Sequence, residues 1–332
     1  MRRILFGLAM AGVLAGGAVA AKPGPGTSTG AGTVFLPNPV ADLQNQSLTD
    51  QKDADHAALA PAYHDVGLTN LDGSGFLRGD WAEIVSETGD PAYSPTNSFR
   101  YRRDDDRFEQ VMAYYWITEA QKYIQSLGFG VWRRPVNMEP QRLRINQFGI
   151  DNSFATTHKD EIRLGKGGVD DAEDAEVILH EYGHAIHFSQ NFAFASVEAG
   201  AISEGFGDYW AVTVADVVSP TPDAPCVADW DAVSYTSDVP HCLRRTDEDL
   251  HYPEDLVGRV HADGQIWSRA LWDLRQRLGN VTADTVILEG QFDFAGTTMR
   301  QLAAATIAAA ERLYGRSVAR ATQRTFAARG LA

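Results

Sequence analysis

Cysteine is scarce. Only Cys226 and Cys242 occur among 332 residues, and their spacing is poor for a metal pair. In an exported chain an even, close pair reads instead as one disulfide, whose loop would contribute about 3 kcal/mol. Basic residues are also in deficit, 29 Lys and Arg against 44 Asp and Glu, for a formal charge of −15. A nucleic-acid binder needs clustered Lys and Arg for phosphate, so that class is excluded. No apolar run reaches the roughly 20 residues that a membrane span requires. There is no internal repeat. What remains, 44% hydrophobic and 22% charged, is a globular chain long enough to bury a substantial core.

The start of the chain carries an address. Arg2 and Arg3 precede an apolar run from Ile4 to Leu14, and Ala18-Val19-Ala20 supplies the small-residue cleavage pattern. Residues 1–20 are expected to be a signal peptide cut between Ala20 and Ala21. No cysteine follows the run to take a lipid. The product is expected to be secreted, extracellular or periplasmic.

"KPGPGTSTGAG" at 22–32 has nothing to bury, and residues 21–32 read as a flexible linker. Residues 33–100 are rich in Gly, Asn, Asp and Pro and read as an N-terminal region of loops and short strands. From Asp104 the pattern turns helical: three acids, then apolar residues at helical spacing from Phe108 to Leu127, stopped by Gly128. "RLRI" and "EIRLG" read as strands, with "DNSFAT" (151–156) between them as an edge segment. Helices are expected over 172–190, 197–217, 263–278, 298–314 and 316–329, with Gly279, Gly315 and Gly330 as C-terminal caps. The division is an α+β subdomain over 101–190 and a helical one over 191–332.

"VILHEYGHAIHFSQ", residues 177–190, is apolar almost all round, so its helix is buried and its ionisable groups need a reason. His180 and His184 lie about 40° apart on the helix, with Glu181 in the same sector. Both rings can converge on one ion, and Glu181 then stands beside the metal, where it can take a proton from bound water. The pentapeptide also arises by chance, with the histidines as bonded core residues. Two imidazoles do not hold zinc alone. His187 shares their face but sits about 10 Å along the axis from His180, too far to share an ion; a packed or solvent-bonded role suits it. A metzincin would have glycine at 187 and histidine at 190; this chain has His187 and Gln190.

"EAGAISEGFGDYWA", residues 198–211, offers Glu204 on the next helix. A third ligand from there leaves the fourth position for water, the arrangement a catalytic zinc needs. Asp208, one turn on, suits acceptance of the second ring N–H of His180. Glu204 and Asp208 as a solvated acidic stripe is the competing reading; Ile202, Phe206, Tyr209 and Trp210 around them count against it.

"HEYGH" followed by "EGFGD" resembles the gluzincin zinc metallopeptidases, most of all their thermolysin and fungalysin branches, over roughly residues 145–275. The resemblance implies a two-subdomain α+β fold in which a strand-containing first part and a mainly helical second part flank a zinc cleft. It places zinc on His180, His184 and Glu204, the general base at Glu181, and the His180-orienting carboxylate at Asp208. "RVHADGQIWSRALWDL" (259–274) is similar to the family stretch whose histidine stabilises the tetrahedral intermediate, a role falling on His261. Asp255 is one residue off the position that would orient it. "CLRRTDED" resembles the segment whose arginine binds a substrate carbonyl, here Arg244, with a surface arginine as the alternative. "DNSFA" matches the edge strand that pairs with the substrate backbone.

Two features depart from the family. Only the leader and a short linker precede residue 33, where fungalysins commonly carry a large propeptide. Thermolysin's calcium sites do not carry over; "DDAEDAE" (170–176) is acid of the kind a helix N-terminus favours, which leaves calcium an open but unsupported alternative. The expected function is a secreted zinc endopeptidase acting on proteins or peptides. Two alternatives stay open: a zinc aminopeptidase, for which no acidic anchor motif is found near 140–170, and a zinc-stabilised secreted binding protein whose catalysis has decayed.

Overall fold

The computed structural model describes Gly26, residues 28–85 and residues 90–332. The expected leader and part of the linker lie outside the described residues. The first part contains β1 (Ser28–Val34), α1 (Pro39–Leu43), β2 (His64–Leu71), β3 (Ala82–Ile84), β4 (Ser98–Phe99) and α2 (Arg107–Ser126). Next come β5 (Gln141–Arg144), β6 (Phe154–Thr156), β7 (Glu161–Arg163) and α3 (Ala175–Ser189). The remainder is α4 (Val197–Val218), β8 (Cys226–Val227), β9 (Arg244–Arg245), α5 (Val260–Leu278), α6 (Asn280–Gln291), α7 (Met299–Tyr314) and α8 (Arg316–Ala328).

One sheet has the order β2-β1-β4, and a second has β3-β5-β7-β6. In the second, β3, β5 and β7 are parallel, while β6 closes the edge antiparallel to β7. Within the "DNSFAT" segment Phe154–Thr156 is therefore an edge strand, as the sequence suggested. β8 and β9 form a ribbon closed by the Cys226–Cys242 disulfide.

The linker expectation needs correcting. Ser28–Gly32 belong to β1, paired with β2 on one side and β4 on the other. Low hydrophobicity hid the strand, but ladder hydrogen bonds hold it, and glycine lets it lie close to α2. A Cβ at Gly32 would sit 2.7 Å from Val111 Cγ1.

α2 buries Phe108, Val111, Met112, Trp116, Ile117, Ala120 and Ile124, the periodic face the sequence predicted. Asp105 accepts the Arg107 backbone N–H where the helix begins. In the second half the expected helices are present, α4 and α8 starting where expected and α3, α5 and α7 with shifted starts. α5 begins at Val260 rather than 263, because Asp263 does not cap the helix; its carboxylate turns back to the Val257 and Gly258 N–H groups. α6 is an addition to the expected set. Its β-branched residues Val281, Thr282, Thr285, Val286 and Ile287 speak weakly for helix, and burial overrides that preference. It is also tied inward: Tyr123 on α2 and Tyr209 on α4 both donate to the buried carboxyl of Asp284. Gly279, Gly315 and Gly330 all take positive φ at or just past helix ends.

Candidate active site

α3 starts where Asp174 accepts from Glu176 N, and the same carboxylate takes the backbone N–H groups of Trp230 and Asp231. The 226–234 segment is thereby fastened over the helix N-terminus. From there α3 runs buried, presenting His180 and His184 with ring centroids 4.9 Å apart. α4 crosses α3 closely. A Cβ at Gly183 would lie 2.9 Å from Gly207 Cα, and one at Gly207 would lie 2.8 Å from His180 Nδ1. Helical glycine costs about 1 kcal/mol relative to alanine; here it lets α4 reach the histidines.

That crossing delivers Glu204. Its Oε2 lies 3.3 Å from His180 Nε2, and its Oε1 lies 3.8 Å from His184 Nε2. The donor atoms of the three residues all fall within 4.8 Å of one another. Two ligands at about 2.1 Å from a tetrahedral ion are about 3.4 Å apart, so these spacings fit a metal between them. Glu204 Oε2 and Glu181 Oε2 are buried with no hydrogen bond.

The electrostatics ask for a cation at the same place. Burial works to lower His180, but its contacts with Asp208 and Glu204 outweigh that and lift it to about 10. Burial works to raise Glu204, yet His180, His184 and His261 together hold it at about 2. His184 is pushed down to about 4 by burial, so it is neutral with a lone pair available. Glu181 is pushed up to about 7, again by burial.

Around these donors stand supporting groups. His180 Nδ1 is 2.9 Å from Asp208 Oδ1. Arg244 on β9 donates Nε to Asp208 Oδ2 and Nη2 to Oδ1, each at 2.7 Å. Burial raises Asp208, but the Arg244 charge overrides it and holds the carboxyl far below the usual carboxylate range. His261, in the first turn of α5, brings Nε2 to 3.2 Å from Glu204 Oε2. It is half-exposed, and burial lowers its pKa. β6 passes beside α3, with Phe154 half-exposed and stacked on Phe148 at 5.6 Å.

The structure thus gathers His180, Glu181, His184, Glu204, Asp208, Arg244 and His261 in one place. His187 is not in the three-donor group; it is stacked between Phe192 and Phe206 at 4.2 and 4.6 Å. Asp255 accepts the His251 backbone N–H. The "DDAEDAE" acids serve several protein contacts: Asp174 caps α3, Glu176 accepts from Ala228 N, and Glu173 pairs with Arg103. Asp171 lies with Asp151 and Asp231 in a group of carboxylates close enough to one another to hold a metal ion, and burial pushes it up to about 8. Sequence reasoning passed over Ser203, whose Oγ is 2.8 Å from His184 Nδ1. It also passed over Gly183 and Gly207. Glycines inside a buried helix pair were the available signal.

Residues 162–286 match the family model described as fungalysin metallopeptidase, and every residue gathered at the site falls within that span. No curated protein matches the chain. Among solved structures it is similar to the precursor of protealysin, a metalloproteinase from Serratia proteamaculans. The TM-score is 0.53 at 17% identity, over 68% of this chain and 79% of that one. At that identity the shared property is the fold, which bears out the α+β, thermolysin-like expectation.

Proposed function

We propose that this fungalysin-like metallopeptidase is a secreted zinc endopeptidase, its metal held by His180, His184 and Glu204. The observation carrying this reading is the meeting of three donors from two successive helices at 3.3 and 3.8 Å. Bound zinc would supply the Lewis acidity that polarises a scissile carbonyl and makes water a nucleophile near neutral pH.

The protein's own groups do the rest. Glu181, buried beside the three donors, is placed to receive a water proton and return it to the leaving amine. His261, neutral because its pKa is lowered, offers a ring N–H to the oxyanion, a contribution worth a few kcal/mol of transition-state stabilisation. Asp208 accepts the Nδ1–H of His180 in a hydrogen bond, which leaves Nε2, facing Glu204, as the nitrogen that would give up its proton to hold the metal. Arg244 gives Nε and Nη2 to Asp208 and is assigned a substrate carbonyl through Nη1. The outer edge of β6 supplies backbone partners for an extended peptide. Export rests on the Arg2-Arg3 leader and its Ala18-Val19-Ala20 site.

The test is hydrolysis by zinc-loaded protein of casein and of N-terminally blocked peptides. Internal cleavage of blocked peptides is expected. Trimming confined to free N-termini would make it an aminopeptidase, and no cleavage with zinc bound under any activation treatment would contradict the reading.

A further inference from the structure

His187 is fully buried, and its ring fills a slot between Phe192 and Phe206. Phenylalanine would fill such a slot without polar cost. The histidine instead carries an Nε2 with no hydrogen-bond partner, and a buried unsatisfied polar atom costs free energy. Packing alone therefore does not account for this residue. Its Nδ1 does: it lies 3.0 Å from Ser203 Oγ. The same hydroxyl oxygen lies 2.8 Å from His184 Nδ1. One serine bridges two imidazoles.

A hydroxyl has a single proton and two lone pairs, so Ser203 can donate to only one of the two rings, and two of the possible arrangements run as a relay. In one, His184 Nδ1–H donates to Ser203 Oγ, and the serine proton points to His187 Nδ1. His184 Nε2 is then a bare lone pair aimed at Glu204, and His187 carries its proton on Nε2. In the other direction His184 holds its proton on Nε2, where a metal could not bind. We propose that Ser203 and His187 are positioning residues, a relay fixing the tautomer and ring plane of His184. The inference rests on the reading of His184 as a metal ligand. The two ligating rings then have separate supports of different chemistry, a carboxylate for His180 and a serine–histidine pair for His184. Partners of this kind typically change metal affinity by about 10–100-fold when removed.

The experiment uses the full chain loaded with zinc, and follows zinc loss to a chromophoric chelator. Ser203→Ala is expected to lose zinc about tenfold faster or more, with Ser203→Thr, which keeps the hydroxyl, restoring retention. His187→Phe keeps the aromatic stack but removes the acceptor, and is expected to lose zinc faster. His187→Asn keeps an acceptor near Nδ1 without the ring, and is expected to retain it better. Unchanged zinc loss in Ser203→Ala, or retention in His187→Phe but not His187→Asn, overturns the relay. Imidazole nitrogen NMR on wild-type protein avoids any folding defect: His187 is expected as the Nε2–H tautomer, and an Nδ1–H tautomer overturns the relay. A wild-type chain that holds no zinc overturns the functional reading as well, which separates the two failures.

Discussion

Asp208 Oδ1 is shared: His180 Nδ1 reaches it at 2.9 Å and Arg244 Nη2 at 2.7 Å. Arg244 closes a two-bond fork on that carboxylate through Nε, so a ring placed for metal depends on a cation from a distant ribbon. Replacing Arg244 by Gln leaves a buried carboxylate without its charge partner, a change that typically costs about 3–5 kcal/mol. Thermal melts should show a lower Tm, and zinc should be held less well. Arg244→Lys restores the charge without the fork and should fall between. A variant as stable as wild type would mean the pair is dispensable.

Gly207→Ala should damage the site without touching a ligand. The new methyl would stand 2.8 Å from His180 Nδ1 and 2.9 Å from Cε1, while Asp208 keeps the ring from yielding. Either α4 moves away from α3 or His180 turns. Metal titration should show affinity lowered by about tenfold or more, the scale at which orienting partners of a ligand act. Affinity equal to wild type would show that the helices tolerate a wider spacing.

How much of this was legible beforehand divides along physical lines. The buried α3 and α4, and the pairs His180 with His184 and Glu204 with Asp208, were readable because helical periodicity fixes which side chains share a face; that the two pairs meet was expected from zinc's need for a third ligand and from the family resemblance. That His187 is not one of the three close donors agrees with the helical rise that separates it from His180. What escaped depends on the approach of two surfaces. Gly183 and Gly207 matter only once α3 and α4 cross, and Ser203 only once it falls between two rings. β1 escaped because its support is backbone pairing with β2 and β4, which leaves no apolar alternation. α6 escaped because Asp284 and its two tyrosines come from separate regions of the chain.

Glu181→Gln keeps size and shape but removes the basic oxygen. If Glu181 carries the water proton, hydrolysis should fall by about 10²–10⁴-fold while zinc content stays at the wild-type level. Steady-state rates and metal analysis on the same preparation check both halves. A variant within tenfold of wild type would place the proton carrier elsewhere.

Asp284 gives the chain a pH-dependent stability remote from the metal. Burial pushes its carboxyl up to about 6 from the ordinary 3.8, so the folded chain binds this proton more tightly than the unfolded one. The stability from this group is complete below about 3.8 and is lost as pH rises through about 6, on the order of 3 kcal/mol over the window. Asp284→Asn cannot titrate. Between about pH 4 and 7 the wild-type Tm should fall relative to that variant, and parallel curves would contradict the assignment.

The most direct measurement is zinc bound per chain in wild-type protein and in Glu204→Ala, with peptide hydrolysis assayed on the same samples. One zinc in wild type, with zinc and hydrolysis both lost in the variant, is the predicted result. Full zinc and full activity without the Glu204 carboxylate would contradict a metal held between α3 and α4.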